Sequence, residues 1–534
     1  MTSLRTFQDQ IQEIHTKETL KQRAQAAAER EKDKENKALS TKGKGKENAA
    51  MAVEPETLQV DDSEDRLGVE GEIQTLLLSG VAQDHDRARD LIAALMTRHR
   101  GEYIFRIGLQ PPATALFAGE FDIPEGWSGT VRTEQELSLL QEQIAATVEE
   151  VGGKSSILFD VRDKHPRAAL LLRLPPLNVS LTPEVRCAVV GNVDSGKSTT
   201  LGVLTGGALD DGRGRARVGL FRHKHEVETG RTSSVGMEIL GFDTSGAAIL
   251  PNISDSTDQD VIRREKLGWE QISMQAAKVV SFIDLAGHER YLKTTLYGLT
   301  SGAPSCVILM VGANAGLIGM SKEHLAIALA LSVPVVVCIT KIDMTPAKIM
   351  EETVKQVTKI LKSPGCRKIP VFVKSKEVAV EISQSFAKDR LCPIFLVSNV
   401  TGEGLDYVCA NLFLDIEGDA EKFATDQPLE YSVTEVWSVP YVGTVVNGIV
   451  NGGSVKAGDA VLLGPDSNGN YQPTVIKSMQ RKRATVTSAD AGQCVSFALK
   501  RIRRAAVRKG MVIVHKTDTP PRAVTRFEGQ VLIL

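Results

Sequence analysis

The residues whose types and spacing could do chemistry begin with Gly191, Asn192, Val193, Asp194, Ser195, Gly196, Lys197 and Ser198. Gly191 and Gly196 let the backbone wrap closely around a phosphate and turn its N–H groups inward. The apolar run 185–190 enters this loop, and a helix-compatible segment, 198–205, leaves it. That helix N-terminus adds a partial positive charge. In such a loop the Lys197 ammonium reaches the β- and γ-phosphates of a nucleoside triphosphate, and the Ser198 hydroxyl binds Mg²⁺. Eight residues can match a pattern by chance, so the weight of this one depends on what lies downstream.

Four further motifs lie there. Asp284-Leu-Ala-Gly287-His288 follows the apolar run 279–283. A carboxylate at a strand end can hold a Mg²⁺-bound water, and the Gly287 N–H can bond a γ-phosphate and lose it when that phosphate leaves. His288 is placed to orient the attacking water. Thr340-Lys341-Ile-Asp343 follows a second apolar run, 333–339. Guanine presents N1–H and N2–H₂ side by side, so the two oxygens of Asp343 can accept both bonds while the Lys341 stem covers the base. Adenine has no such pair. Ser398-Asn399-Val400 follows the apolar run 393–397 and offers a backbone N–H to guanine O6. Gly230-Arg231-Thr232 lies between the phosphate loop and the next strand, where a threonine hydroxyl completes Mg²⁺ coordination only while the γ-phosphate is present. Each motif alone is weak; in this order they reinforce one another.

These loops need strands to carry them. Residues 183–418 alternate strand-like and helix-like segments, which predicts an α/β domain built on a mostly parallel, doubly wound sheet with ligand loops at the carboxyl ends of its strands. Residues 424–517 change to short strands with glycine turns (441–448, 455–463, 475–477), the pattern of an antiparallel β-barrel. Residues 66–180 read as a small α/β N-terminal domain. Its helices are expected near 87–96 and after the capping box Thr133-x-x-Glu136, and its strands near 103–107, 156–160 and 168–172. Residues 1–65, rich in Lys, Glu, Gln and Ala, read as a disordered charged tail. Its run Lys42–Lys46 reads as solvated, with RNA contact as the alternative.

Composition sets outer limits. The 42% hydrophobic and 24% charged fractions are ordinary for a globular protein of several domains. No apolar stretch approaches the ~20 residues of a membrane span, and the first residues lack an apolar signal core. Seven cysteines form no C-x-x-C pair and sit mostly in apolar runs, as buried thiols of a reducing compartment do. A cytoplasmic protein with no membrane and no DNA partner is expected. A net charge of −2 hides an asymmetry: residues 477–509 hold ten Lys or Arg against the single acid Asp490. Such a face suits a polyanion, RNA in particular, or is simply solvated.

The ordered set GNVDSGKS, GRTSS, DLAGH, TKID and SNVTGE resembles the translation-factor GTPases of the elongation factor Tu class. More narrowly, the segments 223–226, 230–236, 240–243, 282–289 and 361–370 resemble the GTP-binding protein 1 and 2 family, over residues 183–534. The resemblance implies that Asp194, Gly196, Lys197, Ser198 and Thr199 hold phosphates and Mg²⁺, and that Ser198, Thr232 and, through water, Asp284 serve the metal. It implies Lys197, Thr232 and His288 as the catalytic set, Asp284 and Gly287 as switch contacts, and Lys341, Asp343 and Ser398 as the guanine site. Two positions depart from the class. Thr340 stands where most GTPases carry asparagine, which should weaken support between base loop and phosphate loop. Arg231 stands where elongation factors carry an apolar residue that gates the catalytic water with Val193. Residues 243–276, a long inter-switch connection, read as a surface hairpin and helix. Residues 521–534 resemble the opening strand of a third barrel, so the chain reads as truncated there. The implied protein is a monomeric switch that binds GTP and GDP with Mg²⁺, hydrolyses GTP, and works with the ribosome and RNA (tRNA or mRNA). Turnover should be slow without a large partner, since no arginine finger stands out in the sequence; Arg222 and Arg231 are candidates. The rival reading is a non-catalytic RNA-binding adaptor that uses nucleotide structurally.

Overall fold

A computed structural model describes residues 62–99, 101–119, 126–221, 223–251, 267–387, 390–413 and 425–517, with 524 and 526–529. The expectations for the tail up to residue 61, for Arg222 and for most of the strand at 521–534 lie outside the described residues.

The amino-terminal elements are α1 (Asp62–Leu78), α2 (Ala82–Arg98), β1 (Glu102–Gln110), α3 (Ala113–Ala118), β2 (Ser128–Gly129), α4 (Glu134–Glu150), β3 (Lys154–Val161) and β4 (Arg167–Arg173). The expected capping box starts α4: the Thr133 hydroxyl accepts from Glu136 N at 3.2 Å, and the Glu136 carboxylate accepts from Thr133 N at 2.8 Å. Leu137, Leu140, Ile144 and Val148, at helical spacing, are fully buried. The four strands form an antiparallel sheet in the order β2-β1-β4-β3. One face, with Tyr103, Phe105, Leu170 and Leu172, packs beneath α1, α2 and α4. The other face, with Ile104, Phe159, Ala169 and Leu171, belongs to the core of the next sheet.

That central sheet comprises β5 (Glu184–Gly191), β6 (Gly236–Phe242), β7 (Ala248–Ile249), β8 (Lys278–Asp284), β9 (Cys306–Gly312), β10 (Val335–Thr340), β11 (Ile369–Phe372) and β12 (Leu391–Leu396). Its order is β11-β12-β10-β9-β5-β8-β6-β7, parallel from β11 to β8 and antiparallel at the β6–β7 edge. Helices α5 (Lys197–Gly206), α6 (Arg215–Val218), α7 (Lys224–Thr229), α8 (Trp269–Gln275), α9 (Leu292–Ser301), α10 (Met320–Ala330), α11 (Ala347–Leu361), α12 (Lys376–Ser385) and α13 (Leu405–Phe413) connect these strands. Alternate residues of each central strand enter opposite cores, Cys187 and Val189 on one side and Ala188 and Val190 on the other. Burial on both faces explains the near-continuous apolar runs of the sequence. The long inter-switch connection contains the β6–β7 hairpin and α8, with 252–266 outside the description. No disulfide joins the seven cysteines.

The last strands are β13 (Glu430–Val439), β14 (Gly443–Gly452), β15 (Ser454–Lys456), β16 (Ala460–Gly464), β17 (Gln472–Arg481), β18 (Ala484–Val486), β19 (Ser488–Asp490), β20 (Cys494–Leu499) and β21 (Val512–His515). Six of them, β16-β21-β13-β14-β20-β17, close into an antiparallel barrel through the β16–β17 pairing. Closure leaves these strands no free edge. Among the described residues no helix is long and apolar enough to cross a membrane.

Buried ions join the three sheets. Arg167 pairs with Glu377 at 2.6 Å, Arg106 with Glu381 at 3.0 Å, and Glu102 bridges Arg173 at 2.7 Å and Lys278 at 3.0 Å. On the barrel side Arg481 and Lys482 bind Glu184 at 3.2 and 2.9 Å. Two of the ten basic residues counted above are therefore structural, held in the joint between barrel and central sheet. Lys477, Arg483, Lys500, Arg501, Arg503, Arg504, Arg508 and Lys509 remain exposed, Arg483 with its guanidinium over the Trp269 ring.

Candidate functional site

Strand β5 ends at Gly191, whose positive φ of 147° and lack of room for a Cβ (2.3 Å from Met310 O) require glycine. The chain then turns through Asp194, also left-handed at φ 58°, and enters α5 at Gly196 with φ 87°. Ser195 closes the turn internally, its hydroxyl on Asn192 O at 2.9 Å. The Lys197 ammonium is folded back on Asn192 O at 2.6 Å and Gly191 O at 3.2 Å.

Three motif segments converge on one cleft. Its lining includes Val193, Asp194, Gly196, Lys197, Ser198 and Thr199 of the phosphate loop, Gly230, Arg231 and Thr232, and Gly287 and His288. The Ser198 hydroxyl bonds Asp284 Oδ2 at 2.7 Å and Thr232 Oγ1 at 2.8 Å, while Thr232 Oγ1 lies 3.4 Å from the same carboxylate. Asp284 Oδ1 is buried without a hydrogen-bond partner among the described residues. Three hard oxygens at one point and an orphaned carboxylate oxygen fit Mg²⁺. Burial pushes the Lys197 ammonium down to about 8, against the pull of Asp284 and Asp194. Burial likewise pushes the Asp284 carboxyl up to about 6, against its bonds to Ser198 and its attraction to Lys197.

Gly287 closes the cleft. A Cβ there would sit 2.4 Å from Lys197 Nζ and 2.7 Å from Gly191 O. His288 Nδ1 accepts the Arg290 backbone N–H at 3.1 Å. The tautomer that this bond selects carries its proton on Nε2, which makes that nitrogen a hydrogen-bond donor.

The base-side residues form a neighbouring loop pair at the ends of β10 and β12. Asp343 accepts from the Ser398 hydroxyl at 2.7 Å, and that hydroxyl accepts from Val400 N and Thr401 N. Lys341 holds a left-handed φ of 63°. The Asn399 amide is spent on Thr200 of α5 at 3.0 Å, so its side chain fixes the loop to that helix. Thr340 departs from the expectation of weakened support: its buried hydroxyl bonds Ser195 O at 2.9 Å and still ties the base loop to the phosphate loop.

Several participants escaped the motif reading. His324 and Ser321, one turn apart on α10, accept the Gly191 and Asn192 N–H groups at 3.1 and 2.9 Å. Glu226 is buried and gathers the loop that carries Thr232: it accepts from His223 N, from Ser233 N and Oγ, and from Ser234 N and Oγ. Arg217 joins the lining of the cleft from α6.

Comparison with known proteins bears on these loops. Residues 182–439 match the elongation factor Tu GTP binding domain. The chain is 44% identical over 459 residues to GTP-binding protein 1 of Xenopus laevis, covering 86% of this chain and 66% of that protein. It is 39% identical over 445 residues to GTP-binding protein 2 of Homo sapiens, covering 82% of this chain and 69% of that protein. With elongation factor 1-alpha of Pyrococcus horikoshii the identity is 26% over 363 residues, 66% of this chain and 76% of that protein. The chain thus spans about two thirds of the length of the first two relatives.

Proposed function

We propose that this chain, which belongs to the GTP-binding protein 1 and 2 family of elongation factor Tu-class GTPases, is a GTP-hydrolysing switch acting on ribosomes or RNA in the cytoplasm. The observation that carries the reading is the convergence of Lys197, Ser198, Thr232, Asp284, Gly287 and His288 on one cleft beside the Asp343–Ser398 pair.

In this reading the phosphate loop and the α5 N-terminus bind the triphosphate, with Lys197 across its β- and γ-oxygens. Bound Mg²⁺ would neutralise charge developing on those oxygens, held by Ser198 and Thr232 with Asp284 behind them. Thr232 and the Gly287 N–H engage only the triphosphate state, so loss of the γ-phosphate releases both loops. Through Nε2–H, His288 orients the attacking water. Asp343 selects guanine, and Asp343→Asn should move preference from GTP to xanthosine triphosphate. The exposed basic residues of the barrel support an RNA or ribosomal partner.

GTP hydrolysis measured with and without ribosomes, for the parent and His288→Ala, tests the reading. Slow turnover accelerated by ribosomes and lost in the variant is expected. No stimulation, together with an inert substitution, would leave the adaptor reading in its place.

A further inference from the structure

We propose that Arg217 is a catalytic arginine supplied in cis, its guanidinium placed on the phosphate oxygens of bound GTP as the terminal phosphate is transferred to water. The proposal rests on the GTPase reading above. It names a residue outside all five motifs and replaces Arg231, which is exposed, as the candidate.

Its backbone is fixed with care. The Asp210 carboxylate accepts the N–H groups of Gly212, Gly214 and Ala216 at 3.0, 3.1 and 2.9 Å, pinning the approach to α6. Helix α6 lies directly on α5, the helix of the phosphate loop. A Cβ on Gly202 would stand 2.1 Å from Ala216 O and 3.1 Å from Arg217 N, so the two backbones touch only because residue 202 is glycine. Arg217 is thereby tied to the element that carries Lys197 and Ser198.

The side chain has a channel cleared for it. Gly214 and Gly230 flank the guanidinium: a Cβ at Gly214 would lie 2.5 Å from Nε, and one at Gly230 would lie 3.1 Å from Nη2. Gly230 is two residues from Thr232, so the guanidinium stands beside the loop that engages only the triphosphate. The half-buried Arg217 lines the same cleft as Lys197, Ser198, Gly287 and His288. Among the described residues its guanidinium meets no carboxylate or carbonyl partner, and the anion its fork suits is a phosphate.

The test uses the full chain, as parent, Arg217→Ala and Arg217→Lys, with fluorescent GDP titrated alone and with aluminium fluoride, which mimics the transferring phosphoryl group. In the parent, aluminium fluoride should tighten GDP retention at least ~10-fold. Arg217→Ala should keep GDP affinity within about twofold and lose that tightening, and single-turnover hydrolysis should fall at least ~10³-fold. Arg217→Lys should not rescue, because an ammonium lacks the planar fork. Undiminished tightening in Arg217→Ala would overturn the proposal. So would a parallel loss of GDP affinity and thermal midpoint, which would mark Arg217 as a prop of the loop. A parent that binds no guanine nucleotide would overturn this proposal and the GTPase reading together, and is told apart by the GDP titration alone.

Discussion

At the scale of single residues the site leaves almost no slack. Gly287→Ala puts a methyl where Lys197 Nζ and Gly191 O already stand. We expect GTP-analogue affinity to drop at least ~10-fold, because the strand-end loop must back away, while GDP affinity changes less; fluorescent-nucleotide titration reads the difference. His324 gives a pH signature. Burial and the nearby Lys197 charge push its imidazole down to about 4, so the folded state refuses a proton that the unfolded chain takes up below 6.5. Stability therefore falls as pH drops from 6.5 to 4, by about 3 kcal/mol from this group. His324→Gln, which keeps an acceptor for Gly191 N–H, should flatten that part of the profile in thermal unfolding. The convergence of the motif residues was legible because loops that serve one ligand must combine set residue types with set spacing. His324 was not, since a lone histidine on an apolar helix face looks like core. The tie made by Thr340 was not legible either, because residue type alone does not show that its hydroxyl reaches Ser195 O.

Elements obey a different logic. Helix α7 and the loop after it are knotted around the Glu226 carboxylate, five donors on one buried group. Glu226→Ala leaves those donors unanswered and should cost about 2–3 kcal/mol locally. Tryptic cleavage after Lys224 or Arg231 should then speed up ~10-fold, with little change in the global unfolding midpoint. Central strands were readable as unbroken apolar runs ending at motifs, the mark of two-sided burial. The opening barrel strand, Glu430–Val439, shows no clear strand pattern in the sequence: a register shift at Val433/Glu435 breaks its alternation, and its exposed far end offers no core pattern. Of the amino-terminal elements α2, α4, β1, β3 and β4 were legible from periodicity; α1, which starts at Asp62 within the segment read as tail, α3 and β2 were not, and nothing in that periodicity reveals what the second face of the sheet covers.

Across the whole molecule, charge buried between sheets sets how the parts are held. Burial pushes the Glu184 carboxyl up, but Lys482 and Arg481 overcome it and hold it well below the ordinary carboxylate range. Its contribution is present above 4.5 and lost as pH falls further. Glu184→Gln should lower stability by about 3 kcal/mol at neutral pH by leaving Arg481 and Lys482 uncompensated, and the gap from the parent should narrow in acid; unfolding midpoints at the two pH values check this. The basic surface shrank for the same reason: residues that look alike in a charge count divide, once folded, into ties and contacts. At the other end of the molecule, Ile104, Phe159, Ala169 and Leu171 share one core with Leu240, Phe282 and Val380. A protein trimmed to start at residue 183 would wear that greasy wall bare, with Lys278 and Glu377 stripped of their partners, and would clump in the tube. The phosphate loop and the sheet in front of it hold together as one piece.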